Sequence, residues 1–134
     1  IGGFEIGCAV MGNDHIETGS GDEIEIEAAF FDFEGKYAMK GAEIHCPARL
    51  EPNLFEAAQM LAKDAYRTMG CTGLARVDMF VTAENEIVLN ELNTIPGFTA
   101  TSRYPSMMAT AGLSFSDLID RLIGLAMERQ VSAC

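Results

Sequence analysis

The chain has 134 residues, 49% apolar and 22% charged, which suits one globular domain with a buried core. Nine Lys and Arg against twenty Asp and Glu give a net charge of −11, which excludes a non-specific nucleic-acid binder, because phosphate contacts need clustered cations. No apolar run approaches the roughly 18 residues of a membrane span and the opening IGGFEIG carries no basic leader, so a cytoplasmic protein without a membrane partner is expected.

The acidic balance leaves phosphorylated small molecules open, since nucleotide sites on acidic proteins combine a few cations with carboxylate-bound magnesium. Cys8, Cys46, Cys71 and Cys134 are far apart and form no C-x-x-C, so zinc is not expected. Cys8 and Cys71 read as reduced core residues, and the eight Met residues as core.

In chain order, Phe4 to Val10 reads as a strand, residues 11–14 as a turn and His15 to Asp22 as a polar connection. Glu23 to Phe31, EIEIEAAFF, alternates with Ile24, Ile26, Ala28 and Phe30 on one face, the pattern of a half-buried strand antiparallel to the first. Asp32 to Gly41 reads as an exposed loop, and Ile44 to Pro47 as a short edge strand, because Pro47 cannot donate to a ladder. His45 reads as an ordinary residue of that edge rather than a catalytic base.

From Pro52 to Met69 the apolar residues Leu54, Phe55, Ala58, Leu61, Ala62, Ala65 and Met69 form one helical stripe, with Pro52 in the first turn and Gly70 at the C-cap. Ala75 to Thr82 and Glu86 to Thr94 are expected to form a hairpin. Pro105 to Gly112 suits a short helix. Ser114 with Asp117 forms a capping box for a last helix with Phe115, Leu118, Ile119, Leu122 and Ala126 inward. The expected fold class is α+β, a mainly antiparallel sheet with helices packed on it.

Chemistry concentrates in the hairpin and the stretch after it, NELNTIPGFTATSRYP. If Thr82 pairs with Ile87, Asp78 falls opposite Glu91 and Arg76 opposite Asn93, all on one face. Two opposed carboxylates repel, and a hard divalent cation held by Asp78, Glu91 and the Asn93 carbonyl would compensate for them, with Arg76 facing an anion. An ion pair from Arg76 to these carboxylates accounts for the same residues. The following loop weighs toward a site: Pro96 and Gly97 bend the chain, and Thr99, Thr101 and Ser102 add hydroxyls beside backbone N–H groups suited to a carboxylate or oxyanion.

ARVDMF (75–80), NELNTIPGFT (90–99) and SRYP (102–105), with EGKYAMK (34–40) and GLSFSDLIDRLIGLA (112–126), together resemble the C-terminal part of the D-alanine:D-alanine ligase family, within the ATP-grasp superfamily. The resemblance covers nearly the whole chain. It implies ATP-dependent joining of D-alanine to a second D-amino acid through an acyl phosphate, for peptidoglycan precursors. It implies that Asp78, Glu91 and Asn93 hold two magnesium ions, with manganese as a substitute, and that Arg76 stabilises the transferred phosphate. Gly97 would offer a backbone oxyanion contact and Ser102 would bind the second substrate's carboxylate. Lys36 would meet phosphate, Tyr37 would close over the substrates, Glu5 would bind ribose and Phe30 would pack on adenine.

Lys36 and Tyr37 resemble ligases with an amino acceptor, D-alanine or D-serine, rather than D-lactate; Met11-Gly12-Asn13 and Ser102-Arg103-Tyr104-Pro105 resemble the glycopeptide-resistance branch. The family also uses an N-terminal domain and a central domain with a glycine-rich loop, neither of which this sequence contains. Residues 1–134 are therefore expected to be a C-terminal ATP-grasp domain, inactive alone, whose partners are the remaining domains of a homodimeric parent. Another ATP-grasp carboxylate-amine ligase and a non-catalytic nucleotide-binding module are the alternatives.

Overall fold

The structure is a computed structural model that describes residues 3–26 and 42–132. Strands β1 (Gly3–Gly12), β2 (Ile16–Ile26), β3 (Ala42–His45), β4 (Gly73–Thr82) and β5 (Ile87–Asn93) form one sheet in the order β3-β2-β1-β4-β5, every neighbour antiparallel. Helix α1 (Pro52–Thr68) covers one face of this sheet; α2 (Arg103–Thr110) and α3 (Phe115–Ser132) cover part of the other. This is the α+β arrangement predicted from the sequence.

The central strands are buried on both faces, which is why β1 reads as an unbroken apolar run. Ile6, Cys8 and Val10 pack toward α1 with Val77, Met79 and Val81 of β4, while Ala9 and Met11 pack toward Tyr104, Met107 and Leu118. Cys8 is a free thiol in this core, pushed up to about 12 by burial first and the nearby Asp22 charge second. Helix α1 approaches closely through Ala58, Ala62 and Ala65. Tyr66, absent from the expected stripe, is fully buried and its hydroxyl donates to the Gly12 carbonyl at 2.8 Å. Met69, expected inward, is 70% exposed beyond the helix end, where Gly70 takes a left-handed φ of 66°.

Residues 16–22, expected as a polar connection, belong to β2. The glycines that suggest a turn there are sites of close approach. A Cβ on Gly19 would come within 2.7 Å of Met108 Sδ, and one on Gly21 within 2.8 Å of Phe55 Cε2. A β-bulge opposite Ala9 lets these two glycines meet helices on opposite faces.

The alternation of EIEIE misleads for the same reason. Glu23 pairs with Ile6, on the α1 side, and is buried rather than solvated. Arg49 compensates: its backbone N–H donates to Glu23 Oε2 at 3.0 Å, and Nη2 reaches Glu23 Oε1 and Glu25 Oε2 at 2.7 Å each. The edge strand spans Ala42–His45 instead of 44–47, and His45 Nε2 lies 3.0 Å from Glu25 Oε2. The expected strand residues 27–31 and the loop at 32–41 lie outside the described residues.

Helix α2 starts two residues before Pro105, which sits in the first turn where a missing N–H breaks no helical bond. Half of the expected capping box of α3 forms: Asp117 N donates to Ser114 Oγ at 3.2 Å, while the Asp117 carboxylate accepts the Ser114 hydroxyl at 2.6 Å rather than the Ser114 backbone N–H. The inward stripe of α3 is Leu118, Leu122 and Leu125. Ile119 and Ala126, expected inward, are exposed because α3 packs on a single flank of the sheet.

The Glu23 carboxyl is held below the usual carboxylate range, chiefly by its hydrogen bonds from the Arg49 side chain. Its folded value lies below its unfolded one, so the stabilisation is full above about pH 4.3 and fades as pH falls through the folded value. Arg49→Met should therefore lower Tm at pH 7, by an amount that shrinks as the pH falls below about 4.3. Circular-dichroism melts at descending pH check this; a Tm gap that stays constant down the acid range contradicts it.

Candidate active site

Antiparallel pairing carries one row of residues across four strands. Asp22 of β2 faces Gly7 of β1, Gly7 faces Asp78 of β4, and Asp78 faces Glu91 of β5. One row away, Arg76 lies between Ala9 and Asn93; on the other side, Glu5 lies between Ile24 and Phe80. All of these project to the face carrying α2 and α3, beside the apolar cluster of Ala9, Met11 and Leu118.

The pairing of Asp78 with Glu91 and of Arg76 with Asn93 is the one predicted, although its premise fails. Val81, not Thr82, faces Ile87, and a bulge restores the register between Met79↔Leu89 and Asp78↔Glu91. Asn90 is the extra residue. Asp78 is buried, with its side chain 2% exposed; Glu91 is exposed and its carboxylate has no hydrogen bond or ion pair among the described residues. Arg76 grips Asp78 with Nε at 2.8 and 3.1 Å from its two oxygens and Nη2 at 2.7 Å from Oδ2, which leaves Nη1 for another anion.

Two residues given no site role in the sequence reading complete this row. Arg103, the first residue of α2, places Nε and Nη2 at 2.7 Å from the two oxygens of Asp22, whose Oδ1 also accepts the Gly7 N–H at 3.1 Å. The same guanidinium lies 3.6 Å from Asp78 Oδ1 and 3.8 Å from Glu5 Oε1. Burial alone would lower the Arg103 pKa; the hydrogen bonds and charge of Asp22, then Asp78 and Glu5, outweigh it and raise it. Asp22 and Arg103 are 81 positions apart, so no local pattern announces the pair. The usable signal was an aspartate inside a stretch too glycine-rich to read as a strand.

The loop between β5 and α2 is built by local hydrogen bonds. Asn93 Oδ1 accepts Ile95 N–H at 3.0 Å, Ser102 Oγ accepts Thr99 N–H at 3.0 Å, and Ser102 Oγ lies 2.8 Å from Thr99 Oγ1. Phe98 anchors the loop between Tyr104 and Phe115, at centroid distances of 6.0 and 5.7 Å. Because Ser102 turns toward Thr99, no side chain among the described residues caps the first turn of α2. Uncapped N–H groups at a helix start suit a carboxylate. Gly97 lies close by: a Cβ there would sit 3.2 Å from Ser102 Oγ.

Asp78, Glu91 and the Asn93 amide oxygen form an all-oxygen donor set that fits a hard divalent cation. The opposed carboxylates and the absence of any partner for Glu91 among the described residues support that fit. A second grouping, Glu25, Glu43 and His45 at the β2–β3 edge, brings ligating atoms within 4.8 Å of one another, but Arg49 already neutralises Glu25. Phe30, Lys36 and Tyr37 lie outside the described residues.

Residues 1–124 match the family profile described as the D-ala D-ala ligase C-terminus. The vancomycin C-type resistance protein VanC2 of Enterococcus casseliflavus is 48% identical over 128 residues, 96% of this chain and 37% of that protein. Among solved structures, the VanG D-Ala:D-Ser ligase from Enterococcus faecalis superposes with a TM-score of 0.85 at 52% identity, covering 93% of this chain and 36% of that one. The D-alanine–D-alanine ligase from Bacillus anthracis complexed with ATP gives 0.81 at 25% identity, over 100% of this chain and 41% of its own. The chain thus spans little more than a third of the length of such relatives.

Truncating Arg103 to Ala leaves Asp22 buried at 1% exposure without its cation, which should cost about 3–5 kcal/mol in urea unfolding. Replacing both partners, Asp22→Ala with Arg103→Leu, should cost less than the single truncation, because no buried charge is stranded. Additive losses from the two substitutions would contradict a paired role.

Proposed function

Because the chain belongs to the D-alanine:D-alanine ligase family, we propose that it is the C-terminal ATP-grasp domain of a longer cytoplasmic ligase that uses ATP to join D-alanine to a second D-amino acid, D-alanine or D-serine. The supporting observation is the row that gathers Asp78, Glu91 and Asn93 beside Arg76 on one face, next to a loop ending at an uncapped helix start. The arrangement suits a phosphoryl donor on one side and an acceptor carboxylate on the other.

In this reading a D-alanine carboxylate oxygen attacks the terminal phosphorus of ATP and the bond to ADP breaks, giving an acyl phosphate. The amine of the second substrate then attacks the activated carbonyl, phosphate leaves, and the nitrogen loses a proton as the peptide bond forms. Asp78, Glu91 and Asn93 would hold magnesium, or manganese in its place, which supplies charge neutralisation to the phosphoryl group. Arg76, fixed by its fork on Asp78, turns Nη1 to the transferring oxygens, and its rigidity limits reorganisation in the reaction.

The Gly97 N–H would meet the oxyanion, while Ser102 and the first turn of α2 receive the acceptor carboxylate and orient its amine. Glu5, on the same face, would bind ribose. By family resemblance Phe30 would pack on adenine, Lys36 would meet phosphate, and Tyr37 would close the site against water. The remaining half of the nucleotide site and a dimer contact would come from other parts of the parent. Retention of the whole Arg76, Asp78, Glu91 and Asn93 set speaks against a module that has lost catalysis.

Phosphate release by the full-length polypeptide containing this chain tests the reading, with D-alanine alone, with D-alanine plus D-serine, and with D-alanine plus D-lactate. Turnover is expected in the first two mixtures, and none in any mixture would sink the ligase reading. Asp78→Asn or Glu91→Gln should lower kcat/KM about 100-fold or more, roughly 3 kcal/mol of transition-state stabilisation.

A further inference from the structure

We propose that Gly7 is a positioning residue: its missing side chain is the slot in which the Arg103 guanidinium lies across β1 between Asp22 and Asp78. Resting on the ligase reading above, the loop end so fixed, Ser102, is the part that receives the second substrate.

Gly7 sits at the centre of the charged row, paired with Asp22 on one side and Asp78 on the other. A Cβ built on it would lie 2.5 Å from Arg103 Nη2, 2.5 Å from Asp22 Oδ1 and 3.2 Å from Asp78 Oδ1. The first two distances are too short for any real contact. Gly7 is not among the glycines with left-handed φ, which among the described residues are Gly3, Gly12, Gly70, Gly73 and Gly112. Its backbone is ordinary strand, so space rather than conformation demands the glycine.

A guanidinium alone could swing aside at little cost. Asp22 cannot follow it freely, because it is 1% exposed and its Oδ1 is also tied to the Gly7 N–H. Displacing Arg103 would strip the cation from a buried carboxylate and release the first residue of α2, directly after Ser102. A methyl group at position 7 therefore acts on the acceptor end of the site through Arg103, without touching substrate.

Gly7→Ala should be made in the 134-residue protein both in the native sequence and with Asp22→Ala and Arg103→Leu already present. In the native background Tm is expected to fall by about 10 °C, and in the background without the ion pair to stay level or rise. Equal losses in both backgrounds overturn the slot. Should the single variant fail to fold, folding of the triple variant supports the slot and its failure overturns it.

In the full-length polypeptide, Gly7→Ala is expected to raise KM for the second amino acid about tenfold and KM for ATP by a smaller factor, because the same guanidinium also lies near Asp78 and Glu5. A fall in kcat with both KM values unchanged overturns the positioning role, since loss of folded enzyme alone would do that. Absence of D-amino-acid-dependent ATP turnover in the native enzyme would instead refute the ligase reading and the acceptor half with it. The melting comparison would still decide the slot.

Discussion

Two carboxylates, Asp22 and Asp78, lie in the sheet with side chains only 1% and 2% exposed, and everything around the site is arranged to neutralise them. An unpaired charge at such depth costs several kcal/mol, a large share of a typical domain's net stability. The two arginines that answer come from different levels of the structure. Arg76 is local, two residues along β4 from Asp78. Arg103 is distant, and its pairing with Asp22 fastens α2 to the sheet, so a charge requirement of the core fixes the approach of the loop that ends at Ser102.

This requirement also explains where the helical cover stops. Toward Gly12 the β1 row is Ala9 and Met11, under Tyr104, Met107 and Leu118. Toward Gly3 the same face turns to Gly7 and Glu5, and the apolar layer gives way to guanidinium and carboxylate groups. One strand therefore supplies both a hydrophobic seat for α2 and the floor of a polar site. Ser20 adds a tie at this boundary, its hydroxyl donating to the Met107 carbonyl at 3.1 Å.

Most elements were legible because their signals are local: the 3.6-residue stripe of α1, the Ser114–Asp117 capping box, and the apolar runs of β1 and β4. What escaped the sequence reading was set by distant neighbours. Gly19 and Gly21 look like turn residues until helices are brought against both faces of β2, and Glu23 looks solvated until Arg49 arrives from the segment before α1. Tyr66 hides among alanines because its partner, the Gly12 carbonyl, lies 54 positions away. In the site, period-two spacing joined Arg76 to Asp78 and Glu91 to Asn93, and the two halves met as expected only because a bulge offset the wrong turn register, whereas Asp22 and Arg103 required the sheet order to meet.

The bulge at Asn90 shows how narrowly the hairpin quartet is set. Four residues, Ala83 to Glu86, turn the chain, with Asn85 in the left-handed region at φ 62°, and Val81 comes to face Ile87. Continued without interruption, that register would set Asp78 opposite Asn90 and Glu91 opposite Val77, turning the Glu91 carboxylate toward the apolar core beneath α1. One extra residue reverses the alternation, returns Glu91 to the face of Asp78, and brings Asn93 beside Arg76. The turn and the site impose registers that differ by one residue, and a bulge between them satisfies both.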